Sequence, residues 1–335
     1  MPDERYITEG AAIVMHRYGP PSVLGLERMT LPLLAADEIR VRSLVSAINH
    51  SDLEIRMGNW PIRGNRFPYV PGLEVVGEIV EAGVAVSDFR LGDRVITMMQ
   101  GLGGVSAERP GGYAEYVTVR AAAAALVPAD LDPHAMAALG LASVTAFEGL
   151  ARLSPLDRRR IAITGAAGGV GSAAIGIARA QGADVVAIVS RAAQADYVRS
   201  LGATDVVASD DVAKGALGEA TLDGILDAVA GPSFGAYVAA LRYGATLCLV
   251  GAVAGHVVSF DADYLYNVTL TGYSTESLDG TRLRRAIAAI GDDLRRGALV
   301  PPARTIFPLH EAAAAHEALE RHGVQGRLLL VPTSA

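Results

Sequence analysis

Residues 160–190 read RIAITGAAGGVGSAAIGIARAQGADVVAIVS. An apolar run leads into a glycine-rich turn, a helix-forming stretch follows, and a second apolar run closes the unit. That order is strand, turn, helix, strand, and it constrains the fold more than any other feature of the chain. The turn carries Gly168, Gly169, Val170 and Gly171 where the helix opens. Without a Cβ in the way, backbone amides at a helix N-terminus can approach a pyrophosphate closely. Ala166 takes the first glycine position, so the strict G-x-G-x-x-G spacing is not met and the order of elements carries the argument. The plain structural alternative is a close-packed helix–strand crossing that holds no ligand.

The alternation continues downstream. A helix over AAQADYVRSLG, a short strand DVVAS, a strand in LDGILDAVA, a helix over SFGAYVAALRYG and a strand TLCLVG follow in turn. This is the pattern of a doubly wound parallel sheet, an α/β fold. Upstream, the first 120 or so residues are β-rich: IRVRSLVSAI, VVGEIVEAGV, LGDRVITM and GGYAEYVTV alternate and are separated by Gly, Pro and Asp. DPHAMAALGLASVTAFEGLARL is helical, with Asp132-Pro133 as its start. From about 261 come a strand in NVTLTGYS, helices over TRLRRAIAAIGDDLRRG and HEAAAAHEALERH, and a closing RLLLVP.

At 335 residues the chain has length for two domains, and 51% hydrophobic with 19% charged residues is a globular balance. A net charge of −7 gives no footprint for nucleic acid or anionic lipid. Lys214 is the one lysine, in a polar stretch where a solvated side chain is expected, and Cys248 is the one cysteine, inside an apolar run. A disulfide framework and a four-cysteine zinc site are excluded within the chain, and a buried, inert thiol is expected. The stretches 161–178 and 243–260 are apolar but broken by glycines, so they read as strand plus turn rather than bilayer spans. With no secretory pattern at the N-terminus, a soluble cytoplasmic protein without a membrane partner is the expectation.

The second strand of the opening unit ends at Ser190-Arg191. A carboxylate there would accept bonds from the ribose 2′-hydroxyl of NAD. A hydroxyl and a guanidinium favour a 2′-phosphate instead, which points to NADP(H). An ordinary exposed arginine at a helix start is the bland alternative.

PGLEVVGEIVEAG (71–83), FRLGDRV (89–95), GGYAEYV (111–117), GAAGGVG (165–171) and VQGRLLL (324–330) occur in this order over nearly the whole chain. In this the chain resembles the medium-chain dehydrogenase/reductase superfamily. The resemblance implies a GroES-like β-rich catalytic domain from 1–124 and 261–335, and a Rossmann nucleotide-binding domain at 125–260. It also sets zinc aside. The superfamily's zinc-dependent members carry ligands at the positions of Asn49, Leu73 and Leu141, and none of these residues is the expected cysteine or histidine. A catalytic zinc needs three protein ligands. In AINHSDL, Asp52 is then expected to cap a helix over LEIRMGN and His50 to face solvent. His310 and His316 stand six residues apart, not the four of an HExxH zinc helix, so HEAAAAHEALERH reads as a surface helix.

Without zinc, the chain looks like the quinone, alkenal and enoyl thioester reductases of the superfamily. The resemblance implies hydride transfer from NADPH to a quinone or α,β-unsaturated carbonyl, a small-molecule substrate. It places Asn49 near the nicotinamide ribose, Thr145 near the nicotinamide and phosphates, Gly231 and Gly251 at strand ends along the cofactor, and Arg327 facing it. Enoyl thioester reductases of the mitochondrial type have a catalytic tyrosine where this chain has Trp60; indole N–H is a poor acid, so Trp60 is expected to wall or stack on a flat acceptor. A homodimer paired through the nucleotide domain is implied as well. The alternatives are an enoyl thioester reductase and a nucleotide-binding protein without turnover.

Overall fold

The computed structural model describes residues 7–106, 108–321 and 326–332. Two compact units emerge: residues 1–141, 276–291 and 303–335 form one, and 142–275 with 292–302 form the other. Val324 and Gln325 of the VQGRLLL motif lie outside the described residues.

The first unit is built on a sheet of seven strands. Six run in the order 304–308, 327–331, 38–47, 74–82, 94–98, 124–126, and strand Tyr116–Arg120 pairs with Glu38–Ala47. All pairings are antiparallel except 304–308 with 327–331. Period-two alternation sends Ile39 and Val41, Val117 and Val119, with Val75, Ile79 and Val95, into one buried cluster. Helix Gly280–Arg295 belongs to this unit through Gly291 and buries Leu283, Ala286, Ile287 and Ile290, the i, i+3, i+4, i+7 stripe of an amphipathic helix.

The second unit holds six strands in the order 205–208, 184–189, 160–163, 222–227, 241–249, 269–272, every neighbouring pair parallel. Numbered along the chain this is 3-2-1-4-5-6, the doubly wound order that places a ligand crevice at the carboxyl ends of the strands. Val185–Val189 are fully buried, as strands covered on both faces must be. Cys248 is buried here, and burial pushes its thiol up to about 11. The apolar stretches 161–178 and 243–260 are accounted for by strands, turns and the helix Gly169–Ala180. Helix Pro133–Ala151 is long and apolar enough to cross a bilayer, but 83% of its apolar window is buried inside the fold.

Three local expectations need correction. The helix expected at LEIRMGN begins earlier and spans His50–Met57. The helix expected over SFGAYVAALRYG ends at Ala239, because Leu241–Leu249 already runs as a strand paired with Leu222–Asp227. The helix Ala312–Glu320 is not purely a surface element: His316 is fully buried, its ring packed edge-on against Tyr113 at a centroid distance of 5.8 Å.

Candidate active site

In the first unit, strand Glu38–Ala47 delivers the chain to Asn49, which has extended backbone angles and forms the N-cap of helix His50–Met57. Asp52, at the third helical position, accepts from the Asn49 backbone N–H at 2.8 Å, satisfying a donor the helix start would leave bare. Asp52 therefore caps from within the helix. It is almost fully buried, and burial pushes its carboxyl up to about 7, with the Asn49 N–H acting against this and the Glu74 charge adding to it. Tyr113 of the GGYAEYV motif bonds Asp52 as well, and its hydroxyl lies 3.3 Å from His316 Nε2. Burial and the nearby Arg56 charge lower His316 to about 3, so its imidazole is neutral. His50 is half exposed, with Nε2 3.3 Å from Glu54.

The Asn49 side chain turns the other way. Its Nδ2 donates to Glu74 Oε1 at 2.9 Å, and its Oδ1 accepts from Arg327 Nη2 at 2.9 Å. The same Nη2 donates to Glu74 Oε1 at 3.0 Å. Glu74 Oε2 accepts the Leu141 backbone N–H at 2.6 Å. Asn49, Glu74 and Arg327 are all buried. Burial pushes Glu74 upward, while the Arg327 charge, the Asn49 amide and the Leu141 N–H pull it back. Every one of these partners is a donor, which is the surrounding an ionised carboxylate requires. Sequence alone pointed to Asn49 and Arg327 separately; the fold joins them through Glu74, which it did not single out.

These residues do not fit a catalytic zinc. Leu73 and Leu141 are buried aliphatic side chains with no donor atom, and both polar atoms of the Asn49 amide are engaged. Among the described residues no three His, Cys, Asp or Glu side chains are arranged to hold a metal. Trp60 is 39% exposed on the turn after the helix, its backbone N–H bonded to Glu54 O.

In the second unit, strand Arg160–Ile163 ends at the turn 164–168 and helix Gly169–Ala180 opens behind it. Gly168 is the N-cap and supplies no side-chain bond. The first-turn amides of Gly169, Val170 and Gly171 are therefore left for an anion, aided by the helix dipole. A Cβ on Gly171 would run into the Gly165 carbonyl and come within 2.6 Å of Ala166 Cα, so the turn closes as tightly as a pyrophosphate cradle needs. The residues present fit a dinucleotide.

Strand Asp184–Val189 ends at Ser190 and Arg191, both exposed. Gln194 Oε1 accepts weakly from Ser190 Oγ and the Arg191 N–H, each at 3.3 Å, while the Arg191 guanidinium has no partner among the described residues. Gly231 and Gly251 follow the strands 222–227 and 241–249, each close to a neighbouring backbone carbonyl: Ala254 O for Gly231 and Ala228 O for Gly251. Thr145 is buried on helix Pro133–Ala151. Asp227, fully buried, went unnoticed in the sequence. It accepts from Thr164 Oγ1 at 2.6 Å and from the amides of Val229 and Ala230, shaping the loop that leads to Gly231. A carboxylate at the C-terminal end of the strand LDGILD, just before the loop, was the available signal.

Comparison with known proteins agrees with this architecture. Residues 35–129 match the family described as alcohol dehydrogenase GroES-like domain, and 169–290 that described as zinc-binding dehydrogenase. A quinone oxidoreductase from Sus scrofa is 28% identical over 96% of this chain and 97% of its own length. The acrylyl-CoA reductase AcuI of Ruegeria pomeroyi is 31% identical over 69% of this chain and 70% of its own. The crystal structure of Escherichia coli quinone oxidoreductase complexed with NADPH superposes with a TM-score of 0.85 at 25% identity, covering 96% of this chain and 100% of that one. With a GroES-like unit, a 3-2-1-4-5-6 parallel sheet and these relatives, the chain belongs to the medium-chain dehydrogenase/reductase superfamily of oxidoreductases, in its quinone oxidoreductase-like branch.

Proposed function

We propose that the protein is a zinc-independent, NADPH-dependent reductase that delivers hydride to a quinone or an α,β-unsaturated carbonyl. One observation carries the reading. At the positions that hold zinc in the superfamily's alcohol dehydrogenases stand two buried leucines and an asparagine locked between Glu74 and Arg327. Alcohol oxidation needs an alkoxide, which a metal makes accessible near neutral pH. A conjugated acceptor spreads the incoming charge onto its own oxygen, so a few neutral donors suffice.

The reduced nicotinamide supplies the hydride. The chain binds and orients it: the amides of Gly169, Val170 and Gly171 take the pyrophosphate, Ser190 and Arg191 the 2′-phosphate, and Gly231 and Gly251 lie along its path at the strand ends. Asn49 and Arg327 steady the nicotinamide ribose, Thr145 the ring, and the 1–141, 276–291 and 303–335 unit is the substrate domain. Trp60 walls the acceptor and stacks on it, and water provides the proton.

The likeness to an acrylyl-CoA reductase supports a second reading, reduction of an enoyl thioester. Trp60, which is no proton donor, weighs against it. Both readings, and a third without turnover, are separated by NADPH consumption on a panel of quinones, enones, enoyl thioesters and simple alcohols with NADP⁺. Turnover highest on quinones or enones is expected; thioester-only turnover establishes the second reading, and none at all the third.

The protein is further proposed to be a homodimer. Strand Thr269–Gly272 is an edge of the parallel sheet, and Val257, Leu265 and Tyr266 nearby are exposed. An open apolar edge is an aggregation liability that pairing with a twin removes. Light scattering should give twice the 34.7 kDa chain mass; a monomer at micromolar concentration would contradict the pairing.

A further inference from the structure

We propose that Glu74 is a positioning residue for hydride transfer, acting through Asn49 and Arg327. The proposal rests on the reading above, in which those two residues meet the nicotinamide end of the cofactor. Glu74 is 1% exposed and opens strand Glu74–Ala82, so its backbone is fixed by the sheet. Its Oε1 receives both Asn49 Nδ2 and Arg327 Nη2, and Arg327 in turn donates to Asn49 Oδ1. This three-membered ring of bonds fixes which way the Asn49 amide points: oxygen to the guanidinium, nitrogen to the carboxylate. One Nδ2 hydrogen is consumed and the other is left to donate.

The second oxygen anchors Glu74 itself. Helix Pro133–Ala151 is broken at Gly140, whose φ of 32° and ψ of −135° are not helical. The break frees the Leu141 N–H, which donates to Glu74 Oε2. A Cβ at Gly140 would come within 2.8 Å of Glu74 Cδ, so the kink and the carboxylate require each other. A glutamine cannot serve here. Whichever way its amide faces, one N–H donor meets another N–H, and Arg327 loses its counter-charge. Among the described residues Arg327 Nε is buried without a partner, so the bonds from Nη2 to Asn49 and Glu74 carry its placement.

The test is a double-mutant cycle with Asn49. Glu74→Gln should lower kcat on the best acceptor at least tenfold. It should change the affinity for adenosine 2′,5′-bisphosphate, which lacks the nicotinamide end, by less than threefold. The fluorescence enhancement of bound NADPH should fall as the ring loses its fixed surroundings. The decisive result is the cycle: the loss in Asn49→Ala/Glu74→Gln should be at least threefold smaller than the product of the two single losses, because part of what Glu74 does passes through Asn49. Multiplicative losses, or an unchanged kcat in Glu74→Gln, would overturn the proposal. Active-site titration with NADPH removes any loss of folded protein from kcat. If Glu74→Gln does not fold, Glu74→Asp keeps the buried charge but withdraws it by one methylene, and the same cycle applies with a loss of threefold or more. Should the wild-type protein turn over no acceptor, the functional reading fails, yet the NADPH fluorescence of the Glu74 variant still decides its positioning role.

Discussion

Gly171→Ala should weaken NADPH and NADH alike, by about tenfold or more, and destabilise the fold by roughly 1–3 kcal/mol, the usual cost of overpacking. The new methyl group would meet the Gly165 carbonyl and Ala166 Cα at 2.6 Å, both backbone atoms that cannot swing aside. Either the turn or the helix start must move, and the first-turn amides move with it. Gly291→Ala is the control, since it lies in helix Gly280–Arg295 of the other unit and the added Cβ would meet only Leu131 Cδ1, at an ordinary 3.4 Å. Cofactor titration and thermal melts of the two variants check this. Equal, small effects for both would show that the turn is not a cradle.

Arg191→Ala should cost NADPH about one to two decades of affinity and leave NADH nearly unchanged. A charge-assisted hydrogen bond to phosphate contributes about 1.5–3 kcal/mol, which sets that range. The Arg191 side chain is exposed and has no acidic partner among the described residues, so removing it should leave stability almost untouched. The selectivity is what matters. Parallel losses for both cofactors would place Arg191 elsewhere than at the 2′-phosphate. The adjoining Ser190 can add a bond but not the charge, so Ser190→Ala should show a weaker form of the same bias.

The doubly wound sheet was legible because parallel strands covered on both faces read as continuous apolar runs, as VVAIV (185–189) does, and LDGILD joins them by its place in the alternation with helices. The strand–turn–helix around Gly168–Gly171 was legible because that order of elements has few structural solutions. Local boundaries were harder. Asn49 and Asp52 are both competent caps, and nothing in AINHSDL says which stands first; the buried side of the helix decides it. His316 sits in a stretch whose flanking glutamates suggest solvent, yet tertiary packing, with Tyr113 edge-on to its ring, buries it. Glu74 could not be found from pattern at all. Its partners, Asn49, Leu141 and Arg327, are 25, 67 and 253 residues away, and the Gly140 kink that exposes one of them is invisible to periodicity. Long-range polar clusters of this kind are specified by the whole fold rather than by any window of sequence.

On the proposed reading hydride transfer needs no metal, and chelation decides whether it does. The protein is stripped with a chelator and its metal content checked by elemental analysis. Its NADPH-dependent rate on a quinone and on an enone is then compared with that of the untreated protein, beside NADP⁺-dependent oxidation of a simple alcohol. With Leu73 and Leu141 buried at two ligand positions and Asn49 bound to Glu74 and Arg327 at the third, an unchanged reductase rate and negligible alcohol oxidation are expected. A reductase rate lost on chelation and restored by zinc, or robust alcohol oxidation with no turnover of either conjugated acceptor, would contradict it.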